Sequence, residues 1–219
     1  MPQSPHPALQ IGSESDHSAV IILHGLGADG EDLLPLAQAL RPANPGVHFI
    51  LPNAPLRHVT LNNGMLMPAW YDISGTDFAH EHAADGLDES FVALQRLMVE
   101  QAGAARRPLV LIGFSQGGAL ALHTALRTTE RPAGVAALAA YLPPSDYAPA
   151  DDLPVFMAHG LYDDVVPLPA ASTSKSALEK LGCRVQWREY AVGHQLAEPL
   201  LADLSAWLAK TLADARGAN

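Results

Sequence analysis

Apolar runs at residues 19–23, 47–51, 109–112, 134–140 and 155–158 are short, rich in Val, Leu, Ile and Ala, and bounded by glycine, proline or polar turns. A run without polar alternation is the pattern of a strand buried on both faces. Such strands need cover above and below. Helical periods at 31–40, 87–101, 117–127, 170–181 and 196–215 supply it, with Leu87, Phe91, Leu94, Leu97 and Met98 marking one apolar stripe. Strands separated by helices join in parallel, because a parallel crossover needs a helix-length connection. The expected class is α/β, a mostly parallel central sheet with helices on both faces. Residues 184–190 alternate Val185, Trp187 and Glu189 with polar neighbours, as a strand nearer the edge does, and residues 8–12 add a short edge strand.

With 219 residues and no linker or internal repeat, the chain reads as one α/β domain, with residues 1–7 as a tail. One segment breaks the alternation. Residues 54–86 show no strong helix or strand period, far beyond the roughly 4–6 residues of an ordinary connection. The segment nevertheless carries Leu56, Val59, Leu61, Met65, Leu66, Met67, Trp70 and Tyr71. A loop this apolar either lines a substrate pocket or forms a satellite core, and the two are compatible.

Charge narrows the partners. The formal charge of −10 comes without any Lys/Arg cluster, so phosphate backbones find no concentrated positive charge and nucleic-acid binding is not expected. The same balance argues against stable association with anionic membranes. Acids crowd residues 72–100 against Arg96 alone, the pattern of a solvated face. No run approaches the roughly 18 apolar residues of a membrane span. The opening MPQSPHPALQ lacks the basic and apolar regions of a secretory signal. The single cysteine, Cys183, has no internal disulfide partner, and a cytoplasmic setting is expected.

Gly113-Phe114-Ser115-Gln116-Gly117 follows an apolar run and opens a helical one. A nucleophilic serine on a strand-to-helix turn needs this arrangement: flanking glycines remove the Cβ atoms that would clash, and the helix N-terminus faces developing negative charge. Ser115 is therefore the expected nucleophile. It needs a base and an orienting acid, in the chain order serine, acid, histidine. After Ser115 come His123, inside the following helix; His159, at a strand end; and His194, between the last strand and last helix. His194 is the expected base. In His159-Gly160-Leu161-Tyr162-Asp163-Asp164 the acid is Asp163, with Asp164 as the alternative. After the first long strand, His24-Gly25-Leu26-Gly27-Ala28-Asp29-Gly30 bends tightly, so the backbone N–H groups of Leu26 and Gln116 are the expected oxyanion donors.

At this point the blocks HGLGADG (24–30), PNAPLRHVTLNNGMLMPAWYDISG (52–75), GFSQGGALAL (113–122), YLP (141–143), HGLYDDVVP (159–167) and YAVGH (190–194) become recognisable. In this order they resemble the small carboxylesterase/acyl-protein thioesterase family of α/β-hydrolases, also called the phospholipase/carboxylesterase family. The resemblance implies an α/β-hydrolase fold without a separate cap domain. It also implies a serine hydrolase of carboxylic esters or thioesters, needing neither cofactor nor metal. It carries the triad onto Ser115, Asp163 and His194 and the oxyanion donors onto Leu26 and Gln116. It further implies an apolar acyl site lined by Leu66, Trp70, Tyr141 and Val165. Ala139 departs from the family, where serine is common.

Other readings stay open at this level. The candidate substrates are esters of short or medium acyl chains, lysophospholipids and acylated proteins. The apolar surface at 65–70 fits a pocket wall or a homodimer contact. An idle hydrolase fold used as a scaffold would be expected to lack a triad residue, and none is missing. His80-Glu81-His82 with Asp85 imitates a metal site, though such residues in a polar loop are usually solvated. Cys183 beside Arg184 reads as a structural thiol.

Overall fold

Burial on both faces builds the sheet. Residues 7–75, 85–103 and 106–217 are described by a computed structural model; the His80–His82 triplet lies outside them. The strands are β1 (Leu9–Ile11), β2 (Ser18–Leu23), β3 (Val47–Leu51), β4 (Leu56–Val59), β5 (Met65–Pro68), β6 (Leu109–Phe114), β7 (Gly134–Leu138), β8 (Pro154–Gly160) and β9 (Arg184–Tyr190). The helices are α1 (Leu34–Leu40), α2 (Leu87–Ala102), α3 (Gln116–Arg127), α4 (Leu168–Lys180) and α5 (Glu198–Gly217). Every residue of β2 and β3 is buried. Along β2, Val20 and Ile22 enter one core while Ile21 and Leu23 enter the other. Leu36 and Leu40 of α1 and Leu200, Leu204 and Leu208 of α5 cover the first. Leu94 and Met98 of α2, Leu120 of α3 and Leu178 of α4 cover the second.

Seven strands pair in the order β1-β3-β2-β6-β7-β8-β9, all parallel except β1, which runs antiparallel to β3. The chain goes outward from β2 to β3 and returns on the other side of β2 as β6. In open α/β sheets such a reversal leaves a crevice at the carboxyl ends of the two central strands. Leu23 pairs with Gly113 there, so the HGLG and FSQG loops leave the sheet side by side.

Three local differences from the sequence expectation have physical causes. The helix expected at 31–40 is a 3₁₀ turn (Glu31–Leu33) followed by α1. Pro35 in the first turn of α1 has no N–H to continue the ladder backwards. Strand β7 ends at Leu138 rather than 140 because Ala139 adopts φ 49° and leaves the extended conformation. The segment 54–86, expected to lack regular structure, contains a hairpin: β4 pairs antiparallel with β5, Val59 opposite Met65 and Leu56 opposite Pro68. Asn63 (φ 55°) and Gly64 (φ 72°) turn it through left-handed backbone that these residue types tolerate best. Asp72 anchors its tip, accepting the Thr60 N–H at 2.7 Å and the Thr60 hydroxyl at 2.6 Å.

A polar relay, exposed at Asp88 and buried at His123, ties α2, α3 and the 141–150 loop together. Arg127 Nη1 donates to Asp88 at 2.7 Å and to His123 Nε2 at 3.2 Å. His123 must then carry its proton on Nδ1, which lies 2.9 Å from the Tyr147 hydroxyl; Tyr147 donates onward to the Pro143 carbonyl at 2.7 Å. Burial, reinforced by the Arg127 charge, pushes His123 from 6.5 down to about 4. The unfolded chain therefore takes up a proton that the folded chain refuses between those values. The resulting stability is complete above about pH 6.5 and is lost as pH falls through about 4. Burial depresses His24, His48 and His159 in the same direction. The thermal midpoint should fall as pH drops from 7 to 4, and His123→Phe should flatten part of that slope. An unchanged slope in the variant, followed by calorimetry across the range, would assign the linkage to other groups.

Candidate active site

The turn after β6 is strained. Ser115 has φ 53° and ψ −120°, a conformation side chains rarely adopt. Its neighbours explain how it persists. A Cβ on Gly113 would lie 2.3 Å from the Gly117 carbonyl, and one on Gly117 would lie 2.3 Å from the Leu23 carbonyl oxygen. Only glycines permit α3 to begin this close to the end of β2. The Ser115 N–H donates to the Leu138 carbonyl of β7 at 2.8 Å, which holds the turn from the other side.

Around this turn the structure gathers the residues expected from sequence. Ser115 Oγ lies 2.9 Å from His194 Nε2, and His194 Nδ1 lies 2.8 Å from Asp163 Oδ2. A carboxylate only accepts, so Nδ1 carries the proton and Nε2 is free to accept the Ser115 hydroxyl. The Asp163 side chain is fully buried. Its other oxygen, Oδ1, accepts the backbone N–H groups of Val165 at 3.0 Å and Val166 at 2.8 Å. Phe114 packs against the His194 ring at a centroid distance of 5.0 Å. Gly160 lets the acid loop meet the histidine loop, since a Cβ there would lie 2.3 Å from the Gly193 carbonyl oxygen. Among the described residues, Asp164 makes no side-chain hydrogen bond to His194.

Opposite the Ser115 turn, an elbow between β6 and α3, the loop after β2 is fixed by His24, which is fully buried. Ala54 N–H donates to His24 Nε2 at 3.0 Å, so Nδ1 is the protonated nitrogen and donates to the Gly25 carbonyl at 2.8 Å. Burial pushes its pKa down, and the Gly25 contact opposes this only in part. The ring stays neutral, as that bonding pattern requires. Gly27 N–H donates to the Pro68 carbonyl at 2.9 Å and ties the loop to the hairpin base. Neither the Leu26 nor the Gln116 backbone N–H has a hydrogen-bond partner among the described residues. Gln116 opens α3, where the first N–H groups lack intrahelical acceptors.

The Gln116 side chain is a feature that sequence reasoning missed. Its Oε1 accepts the Trp70 N–H at 2.9 Å and its Nε2 donates to the Tyr71 carbonyl at 2.8 Å. Trp70 in turn donates Nε1–H to the His24 carbonyl at 2.9 Å. One amide thus links the elbow, the segment after the hairpin and, through Trp70, the loop after β2. The available signal was the glutamine within GFSQGG, a long polar side chain ahead of the apolar run GGALAL.

The four residues expected at the acyl site fall into two pairs. Leu66, on β5, and Val165, beside Asp163, are more than half exposed. Trp70 and Tyr141 are buried, Trp70 bonded as described and the Tyr141 hydroxyl 3.0 Å from that of Tyr71. The Ala139 departure lies just past the end of β7, where its N–H donates to the Ala158 carbonyl at 2.8 Å and the carbonyl of the preceding Leu138 accepts the Ser115 N–H.

Comparison with known proteins places this geometry. The family model described as Phospholipase/Carboxylesterase matches residues 4–212. The chain belongs to the phospholipase/carboxylesterase family. A curated relative, acyl-protein thioesterase 1 of Yarrowia lipolytica, is 35% identical over 95% of this chain and 98% of its own. Among solved structures, Arabidopsis thaliana SOBER1 superimposes with a TM-score of 0.82 at 23% identity, covering 89% of this chain and 99% of that one. Esterase PE8 gives a TM-score of 0.75 at 29% identity over 94% and 98% of the two chains. The fold is that of an α/β-hydrolase, with no separate cap domain among the described residues. No described helix is long and apolar enough to cross a membrane, and no described cluster of His, Cys, Asp and Glu has the makings of a metal site.

Gln116→Met keeps the length of the side chain and its backbone N–H but leaves the Trp70 N–H unsatisfied and removes the amide donor to the Tyr71 carbonyl. A buried donor left unsatisfied costs ~1–3 kcal/mol, and a lost hydrogen bond adds about 1 kcal/mol. Chemical denaturation should show a loss of roughly 2–4 kcal/mol, and kcat should fall as the loop after β2 loosens. Native stability in the variant would mean that water replaces the amide.

Proposed function

We propose that the chain is a serine hydrolase that cleaves carboxylic esters and thioesters of short to medium acyl chains through an acyl-enzyme on Ser115. The observation that carries this reading is the continuous line Ser115 Oγ, His194 and Asp163 at 2.9 and 2.8 Å. His194 takes the Ser115 proton as Oγ attacks the acyl carbonyl. The tetrahedral oxyanion is met by the Leu26 and Gln116 N–H groups, each donor of this kind contributing roughly 3–4 kcal/mol to the transition state. Collapse expels the alcohol or thiol, which receives its proton from His194. Water, deprotonated by the same imidazole, then releases the carboxylic acid.

The site on the chain needs no cofactor for these steps. Exposed Val165, two residues from Asp163 and bonded to it through its N–H, and exposed Leu66 on the hairpin support an apolar acyl group. The name of the Yarrowia lipolytica relative supports including thioesters. A single, buried cysteine supports a reducing, cytoplasmic setting.

Ser115→Ala should abolish p-nitrophenyl ester hydrolysis and fluorophosphonate labelling while leaving the circular dichroism spectrum unchanged. Retained turnover would exclude Ser115 as nucleophile, and an unlabelled native protein would favour a scaffold role. Asp163→Asn should reduce kcat far more than Asp164→Asn; the opposite ranking would move the acid by one residue. A series of acyl esters run beside acyl-thioester peptides and lysophospholipids separates the substrate classes.

A further inference from the structure

The loop that bears Asp163 is held by a second imidazole that the proposed reaction does not use. His159, the penultimate residue of β8, is buried, with its side chain 1% exposed. Its Nε2 lies 2.8 Å from the Val166 carbonyl oxygen, so that nitrogen carries the proton. The same Nε2 lies 3.4 Å from Asp163 Oδ2, the oxygen that accepts from His194. Val166 is also the residue whose N–H donates to Asp163 Oδ1. His159 therefore grips the Val166 peptide by its carbonyl while the N–H of the same residue grips the carboxylate. The ring lies nearly parallel to Trp187 of β9, at 8° and a centroid distance of 6.4 Å, which fixes its plane from the side of the sheet edge.

Charged and titratable groups near the ring come from three directions. Asp163 lies in its own loop, His194 in the loop after β9, and Glu189 opposite His159 in the strand register. Glu189 already accepts the Trp187 indole N–H at 2.8 Å. Burial is the strongest influence on the ring and holds its pKa below the ordinary value, outweighing the two carboxylates. The imidazole is a neutral donor in this setting, not a second cation beside Asp163.

We propose that His159 is a positioning residue for Asp163: its Nε2–H locks the Val165–Val166 turn so that both backbone N–H groups reach Oδ1 and Oδ2 stays in line with His194. The proposal rests on the triad reading above. It assigns a task to a histidine that packing alone would explain equally well by burial, and the two explanations differ in what a substitution does. A merely packed ring is replaceable by any side chain of its size. A positioning ring is replaceable only by one that presents an N–H at the same point. Glutamine places its amide nitrogen near the Nε2 position; asparagine reaches only as far as Nδ1, and phenylalanine fills the volume with no donor.

The experiment measures kcat, KM and the pH profile of kcat/KM on a short p-nitrophenyl ester for the native chain and for His159→Gln, His159→Asn and His159→Phe, with thermal midpoints alongside. A displacement of about an ångström in a catalytic group costs on the order of a hundredfold in rate. His159→Phe and His159→Asn should therefore lose roughly ten- to a hundredfold in kcat with KM little changed. Their acid limb should move to lower pH, because an imidazolium at His194 loses its aligned carboxylate. His159→Gln should keep kcat within about threefold of native and restore the limb. Should the Phe chain fail to fold, the contrast between Asn and Gln carries the same test. Equal damage in Gln and Asn, kcat unaffected in both Phe and Asn, or an acid limb that stays put or moves upward overturns the proposal. A native chain with no acid limb and no fluorophosphonate label instead overturns the triad reading, so the two failures are distinguishable.

Discussion

The approach of the first turn of α3 to the end of β2 is the contact on which the site is built. The Gly117 Cα stands so close to the Leu23 and His24 carbonyls that no side chain fits between them. This proximity forces Ser115 into its strained backbone and brings the start of α3 beneath the loop after β2. The strain of such a residue costs of order 1–3 kcal/mol and persists only where its surroundings over-determine it. Here they do so from both sides. The Leu138 carbonyl holds the Ser115 N–H, and two buried strand ends hold the glycines. The same closeness lets the Gln116 amide reach Trp70 and Tyr71, and through Trp70 the His24 carbonyl.

Polar groups at the site are arranged so that their partners leave little choice of protonation state. A buried carboxylate is costly unless its lone pairs are met by donors. Asp163 receives two backbone N–H groups and one imidazole N–H. His24 receives an N–H on one nitrogen and faces a carbonyl on the other, which leaves a single neutral tautomer. His194 is ordered by a carboxylate on Nδ1, leaving Nε2 toward Ser115. Donors and acceptors fixed before substrate arrives need no reorganisation during reaction, which is where enzymes of this kind gain most of their electrostatic advantage.

What the sequence discloses depends on how local the governing constraint is. Strands β2 and β3 are legible because burial on both faces demands uninterrupted apolar residues, and β3 spans the very residues 47–51 that the pattern marks. The elbow is legible because two glycines are required at fixed offsets from Ser115. The hairpin is not, because β4 and β5 are four residues each and largely unburied, so no apolar face imposes a period of two. Its signal was the Asn63-Gly64 turn. The roles of Gln116 and His24 were hidden for a different reason. Their partners, Trp70 and Tyr71 for one and Ala54 for the other, lie tens of residues away along the chain, joined only by the sheet's reversal at β2.

That difference in legibility follows the division of labour in the molecule. The parts that would handle the proton and the oxyanion are pinned by backbone closeness, which glycines record in the sequence. The parts that would meet the acyl group on the proposed reading, Leu66 on the hairpin and Val165 on the acid loop, are more than half exposed, so packing constrains their identity less. The hairpin is attached by a few polar contacts, among them Asp72 to Thr60 at one end and Pro68 to Gly27 at the other. Residues at such positions can change without disturbing the elbow, whereas a change at Gly117 cannot. On the proposed reading, substrate choice would belong to the hairpin and the acid-loop rim, and reaction type to the turn whose glycines crowd Ser115.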